Sequence, residues 1–221
     1  MKAIVKIQSI KQVTHDVKCF RIEKPEGYQF TPGQATDVSI NQPGLEEETR
    51  PFTFTALTTE KYLEFTIKRY EDHHGITDKL HRLEPGNELI IRDVWGAIEY
   101  KGPGYFIAGG AGITPFIAIL RHLYQEGKTA GNTLFFSNKT AEDIIYREEL
   151  QKILGQQAHF VVTKEKSAQY PTARIDESFL KQHIGDFSRH FYLCGPDAMV
   201  SELAKTLEKL GASTDTVVFE K

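Results

Sequence analysis

The sequence predicts two successive units of different class: an antiparallel, Greek-key-type β barrel, then a five-stranded parallel, doubly wound α/β sheet. Three observations carry this reading. Over the first hundred residues, short β-branched and aromatic runs with period-two alternation are separated by Pro/Gly turns. From about Tyr105 the grammar changes, and short apolar runs alternate with longer helical patterns. Between the two lies Lys101-Gly102-Pro103-Gly104, a linker by composition, so the expected domains are residues 1–100 and 101–221.

The expected barrel strands are Ala3 to Ile7, Val17 to Ile22, Ala35 to Ile40, Phe52 to Ala56, Tyr62 to Tyr70 and Glu88 to Arg92. Pro25-Glu26-Gly27, Thr31-Pro32-Gly33, Gln42-Pro43-Gly44 and Glu84-Pro85-Gly86 punctuate them as turns. Only Thr77 to Leu83 reads as helical, with Leu80 and Leu83 facing inward. In the second unit the strands are Tyr105 to Ala108, Thr133 to Ser137, His159 to Thr163, His190 to Cys194 and Thr216 to Phe219. The interposed helices are Thr114 to Gln125, Tyr146 to Leu154, Ile175 to His183 and Asp197 to Leu210.

Residues 109 to 115, Gly-Gly-Ala-Gly-Ile-Thr-Pro, join a strand to a helix. Glycines permit positive φ and close approach of a ligand, and the free N–H groups of a helix start attract phosphate. Thr114 suits the N-cap and Pro115 the first helical position. An ordinary strand-to-helix turn explains this segment equally well by itself, because Pro115 stands where a full dinucleotide fingerprint has its third glycine. A second turn of the same logic, Cys194-Gly195-Pro196-Asp197, shifts the balance toward a shared nucleotide crevice at the strand ends.

Composition bounds the alternatives. The 221 residues are 40% hydrophobic with a formal net charge of −3, so a basic face for nucleic acid is not expected. Cys19 and Cys194 are far apart, without the spacing of an iron–sulfur cluster, zinc site or disulfide framework, and no metal centre is expected. The acidic run Glu46-Glu47-Glu48 reads as a solvated loop, and His73-His74 as a solvated pair without a third ligand. The N-terminus has no signal-peptide apolar region and no stretch reaches membrane-spanning length, so a cytoplasmic monomer without membrane association is expected.

With Arg50-Pro51-Phe52-Thr53 in the barrel, Gly75-Ile76-Thr77 after it, Gly109 to Phe116, and Cys194-Gly195-Pro196, all in this order, nearly the whole chain resembles the ferredoxin-NADP reductase superfamily. The resemblance implies an FAD-binding barrel and an NAD(P)-binding sheet. It implies that Arg50 holds flavin phosphate, that the ring of Phe52 beside Pro51 packs on the isoalloxazine, and that Thr53 hydrogen-bonds near flavin N5. A guanidinium fork, an aromatic face and a short hydroxyl suit those tasks. For Arg50 the alternative is an ion pair with Glu46 to Glu48, and for Phe52 a core position. Phe52 replaces the commoner tyrosine, removing a phenol from the site.

The resemblance further implies backbone contacts to the flavin from Ile67, Lys68 and Arg69, and a diphosphate turn at Gly75, Ile76 and Thr77 with Thr77 capping the helix, which favours FAD over FMN. Nicotinamide dinucleotide phosphates would lie over Gly110, Ala111, Gly112, Ile113 and Thr114. The nicotinamide would lie against Cys194, Gly195 and Pro196, with Cys194 near the carbon that gives up hydride. Cys194 is also a small strand-end hydrophobe, and no thiolate chemistry is needed. Ser137 and Lys139 end the second strand without a carboxylate and suit a 2′-phosphate, or else form a plain turn followed by Glu142 and Asp143. Phe219 either reaches the flavin or joins the core.

The function implied is an FAD-containing, NAD(P)H-dependent reductase, with Thr53 and Cys194 at the chemistry, passing electrons to a separate acceptor such as a ferredoxin, flavodoxin or oxygenase component. The clustered cysteines of a fused ferredoxin and the helices of a fused globin are missing from these residues. Two alternatives are an NAD(P)H:flavin reductase using free flavin as substrate and a noncatalytic flavin-binding redox sensor or structural subunit.

Overall fold

The computed structural model describes residues 2–70, 75–96 and 98–219, and for Phe219 the backbone alone. His73 and His74 lie outside the described residues, as do Glu220 and Lys221. Two compact units divide the chain, 1–97 and 98–221. No helix among the described residues is long and apolar enough to cross a membrane.

The first unit is built from β1 (Ala3–Thr14), β2 (Val17–Glu23), β3 (Gln34–Ile40), β4 (Arg50–Thr53), β5 (Tyr62–Lys68) and β6 (Glu88–Gly96), with one short helix, α1 (Ile76–Leu80). The strands pair antiparallel in the order β4-β3-β6-β1-β2-β5, which brings the first and last strands of the row toward each other. A bridge between Phe54 and Phe65, with Thr55 N donating to Glu64 O at 2.8 Å, links those two edges. Alternation decides what goes inside: Phe20, Ile22, Leu63, Phe65, Ile67, Leu89 and Ile91 all fill the core. Ile76, Leu80 and Leu83 of the α1 segment join that core.

β1 and β6 run several residues past the expected strands, because their outer halves are held by ladder pairs rather than by apolar burial. Conversely, β4 begins and ends earlier than expected, at Arg50 and Thr53, and β5 stops at Lys68.

The second unit contains β7 (Gly104–Gly109), α2 (Thr114–Gln125), β8 (Thr133–Asn138), α3 (Arg147–Leu154), β9 (Ala158–Val162), α4 (Glu177–His183), β10 (His190–Cys194), α5 (Asp197–Lys209) and β11 (Val217–Phe219). All five strands are parallel, in the order β11-β10-β7-β8-β9. Alternate residues face opposite helix layers. Phe106 meets Phe116 of α2 edge-on at 5.1 Å, whereas Phe135 meets Phe179 of α4 at 5.4 Å. The chain starts at central β7, builds outward to β9, then returns to the other side of β7 as β10. The carboxyl ends of β7 and β10 therefore form the topological switch point, where open parallel sheets bind ligands.

Candidate functional site

In the barrel, β4 pairs with β3 along one edge only: Val38 faces Arg50, Asp37 faces Pro51, Thr36 faces Phe52 and Ala35 faces Thr53. Its other edge touches β5 through the single Phe54–Phe65 bridge. Beyond that bridge no ladder pair joins the two strands among the described residues, so Arg50 to Thr53 and Thr66 to Lys68 form two lips of an open seam. Arg50 is exposed at one end, and its Nη1 donates to the Thr49 carbonyl at 2.7 Å. No ion pair of Arg50 with the acidic run is present among the described residues: Glu47 pairs with Lys2 and Arg92, and Glu48 pairs with Lys79. A guanidinium without a carboxylate beside it can form a charge-assisted fork to a phosphate.

Phe52 is half-buried, packed from one side on the core and 6.3 Å from the Phe65 ring. Thr53 is buried, and its hydroxyl forms no hydrogen bond among the described residues. A cationic fork, a half-covered ring and an unengaged hydroxyl along one open strand edge fit a phosphate-bearing planar group.

Across the seam, the Ile67 carbonyl takes a hydrogen bond from the ring of His81 at 2.8 Å, and burial pushes the His81 pKa down. Lys68 is held by Asp16 at 2.7 Å, and Arg69 by Asp78 at 2.8 Å. Asp78 is buried, and the hydrogen bond from Arg69, followed by the charge of Arg82, holds its carboxyl below the usual range. These side chains are thus committed to fixing the β5 end and α1.

Gly75 is the N-cap of α1, in extended conformation. The expected capping role of Thr77 is corrected: the helix begins at Ile76, two residues too early for Thr77 to cap it, and the Thr77 hydroxyl instead accepts from Tyr70 N at 3.4 Å.

In the second unit, Gly110 to Ile113 form a 3-10 turn before α2. This turn corrects the expected role of Thr114. The cap position falls to Ile113, and Thr114 is already helical, its hydroxyl donating to the Ala111 carbonyl at 3.1 Å. Gly110 has φ +53° and open space where a side chain would be. Gly112 is different: a Cβ there would sit 2.5 Å from Gly195 N and closer still to the Cys194 carbonyl oxygen. At Gly109 a Cβ would lie 2.6 Å from Met199 Sδ and 3.0 Å from Pro196 Cδ. The two glycine turns therefore interlock backbone to backbone, which brings Gly110, Ala111, Gly112, Ile113 and Thr114 together with Cys194, Gly195 and Pro196. Cys194 is buried beside Ala108.

One strand outward, Ser137 pairs with Gly109, and Lys139 is exposed with no ion pair among the described residues. Two carboxylates following this strand are engaged by their own neighbours. Asp143 accepts from Thr140 N and its hydroxyl, each at 2.9 Å, and Glu165 accepts from Ala141 N at 2.7 Å. Phe219 ends β11 in register with Leu193.

One further polar cluster of the barrel, Arg21, Thr55, Glu64 and Thr66, has no counterpart among the sequence motifs. Its signal is a carboxylate two residues from a threonine on the outward face of a strand, which carries no mark of burial until the fold is known.

Comparison with known proteins matches residues 4–100 to the oxidoreductase FAD-binding domain and residues 106–205 to the oxidoreductase NAD-binding domain. The chain is 28% identical over 233 residues to the reductase component of propane 2-monooxygenase from Rhodococcus jostii, covering 98% of this chain and 62% of that protein. It is 27% identical over 220 residues to ferredoxin–NADP reductase B of Sorangium cellulosum, covering 90% of each. Among solved structures, a ferredoxin NADP+ reductase from Neisseria gonorrhoeae with bound FAD and NADP superposes with a TM-score of 0.86 at 20% identity, covering 99% of this chain and 98% of that one. The chain spans 62% and 66% of the length of the two propane 2-monooxygenase reductase components from Rhodococcus jostii and Mycolicibacterium goodii.

An FAD-binding barrel and an NAD-binding sheet in tandem define a two-domain oxidoreductase class. The chain belongs to the ferredoxin-NADP reductase superfamily.

Proposed function

We propose that this chain takes hydride from NAD(P)H onto FAD and passes electrons to a separate acceptor, a small electron-carrier protein or an oxygenase component. The observation that carries this reading is the tandem of an open barrel seam whose Arg50 has no carboxylate partner among the described residues and an interlocked pair of glycine turns at a parallel-sheet switch point, within FAD- and NAD-binding oxidoreductase domains. The acceptor class is supported by the relatives, which include reductase components of propane 2-monooxygenase and naphthalene 1,2-dioxygenase systems.

Bound FAD supplies the ability to accept two electrons at once and release them singly. The chain's own residues bind and orient. Arg50 would hold phosphate, Phe52 beside Pro51 would present its ring to the isoalloxazine, and Thr53 would offer its hydroxyl near N5. The backbone of Ile67, Lys68 and Arg69 would follow the ribityl chain along the unpaired lip, and the amides of Gly75, Ile76 and Thr77 would face the diphosphate. In the second domain, the amides of Gly110 to Thr114 would take the nicotinamide dinucleotide phosphates, the Cys194-Gly195-Pro196 corner would seat the nicotinamide, and Ser137 with Lys139 would meet a 2′-phosphate.

Anaerobic stopped-flow reduction of the FAD-loaded protein by NADH and NADPH in parallel tests this. The flavin absorbance should bleach within seconds with at least one nucleotide, NADPH being preferred. If neither nucleotide reduces a flavin that survives desalting, the reductase reading is wrong; loss of the flavin on desalting would mean flavin is a substrate.

A further inference from the structure

The outward face of β5 carries Glu64, Thr66 and Lys68, opposite the core-facing Leu63, Phe65 and Ile67. Glu64 is nevertheless buried, its side chain only 4% exposed, while that of its partner Arg21 is 49% exposed. Arg21 Nε donates to Glu64 Oε2 at 3.1 Å, and the Thr55 hydroxyl donates to Oε1 at 3.0 Å. Thr55, fully buried, lies 3.2 Å from the hydroxyl of Thr66. One residue beyond the Phe54–Phe65 bridge, Thr66 stands on one lip of the seam and Thr53 on the other.

A carboxylate only accepts, and a hydroxyl has one proton. Once Thr55 gives its proton to Glu64, the contact between the threonines requires Thr66 to donate. The chain therefore runs Thr66 to Thr55 to Glu64, with both O–H dipoles pointing inward. The negative charge sits in the low-dielectric barrel wall, whereas the compensating guanidinium is half in water and screened by it. The charge and the dipoles act in the same sense, making the part of the seam between Thr53 and Thr66 more negative than it would be without them.

We propose that Glu64, acting through Thr55 and Thr66, is a positioning residue that lowers the reduction potential of flavin held in the seam, making it a stronger electron donor. The inference rests on the reading of the seam as the FAD site. A negative potential opposes the negative charge that reduction adds, so reduced flavin is held less tightly than oxidised flavin.

Glu64→Gln is the direct test, because Arg21 requires an acceptor and so turns the amide oxygen toward itself and the NH2 toward Thr55. The substitution removes the charge and makes the Thr55 hydroxyl an acceptor toward the side chain at position 64, its proton then free for the residue 64 carbonyl at 3.3 Å or for Thr66, without a change of size. In potentiometric titration of the FAD-loaded protein, Glu64→Gln should favour reduced over oxidised flavin by about tenfold, a midpoint about 30 mV higher. Thr55→Val keeps the charge but cuts the chain, and should shift the same ratio by about threefold, roughly 14 mV upward. Should Glu64→Gln fail to fold, Thr55→Val decides alone. Variants that lose thermal stability or FAD affinity while the midpoint stays at the wild-type value would give the cluster a purely structural role and overturn the proposal. A wild-type chain that retains FAD with unmoved variants overturns this inference alone; one that retains no FAD overturns the functional reading and takes this inference with it.

Discussion

In the barrel, the candidate site is an interruption of a sheet: β4 and β5 meet at one bridge and then part, leaving side chains of opposite character along two strand edges. In the parallel sheet, the candidate site is a contact: two glycine turns pressed together so closely that a single Cβ would not fit between them. Side chains carry the first arrangement, and their deletion should change ligand affinity while the fold persists. Backbone carries the second, so substitution there should damage fold and ligand site together. Motif glycines in one chain can thus have different physical reasons. Gly110 satisfies a left-handed φ with open space above it, whereas Gly112 permits close packing of the turn on the Cys194–Gly195 peptide.

The sharpest way to break this comparison is Gly112→Ala. The added methyl meets backbone rather than a flexible side-chain end, so the turns must separate, and a loss of about 3 kcal/mol is expected from the overpacking. Thermal denaturation should show the second unit melting early, with nucleotide binding lost alongside. Gly110→Ala is the control, strained only by its φ of +53° and expected to cost about 1–2 kcal/mol. Equal effects of the two would mean that the interlock is loose.

Arg50→Ala should act on the barrel alone. Removing a charge-assisted phosphate contact weakens FAD retention by about 1.5–3 kcal/mol, roughly ten- to a hundredfold. Equilibrium dialysis against FAD measures it, and the melting of the second unit should be unchanged. Undiminished affinity would remove Arg50 from the phosphate role.

The smallest effect expected is at the rim of the second unit. Lys139→Glu places a carboxylate beside Ser137 and should lower the preference for NADPH over NADH by about 1 kcal/mol, a like-charge repulsion at short range. The ratio of kcat/KM for the two nucleotides reads this directly, and a constant ratio would make Lys139 a solvated turn residue.

Legibility in the sequence followed how local each cause was. The strand–turn–helix grammar of residues 105–125 was readable because periodicity and glycine placement are local, and the α2 boundaries agree at both ends. Thr77 and Thr114 were misread as caps for a related reason. Cap assignment depends on where the preceding backbone turns helical, and in both cases it turned earlier, through Ile76 and through the Gly110–Ile113 turn. Arg50 suits a phosphate ligand or an ion-pair partner, and only the positions of Lys2, Lys79 and Arg92 show that Glu47 and Glu48 are engaged elsewhere.

By itself, the sequence determined the class of each unit, the side of each strand that faces the core, and the two turns that needed glycine, since these follow from side-chain period and backbone sterics over a few residues. Tertiary structure alone decided that β4 and β5 would meet at one bridge, that Gly112 would rest on Gly195, eighty-three positions further along the chain, and that Glu64 would be buried on an outward-facing position. Each of these depends on segments distant in sequence arriving at one place. No local pattern encodes the dielectric surroundings that such an arrival creates.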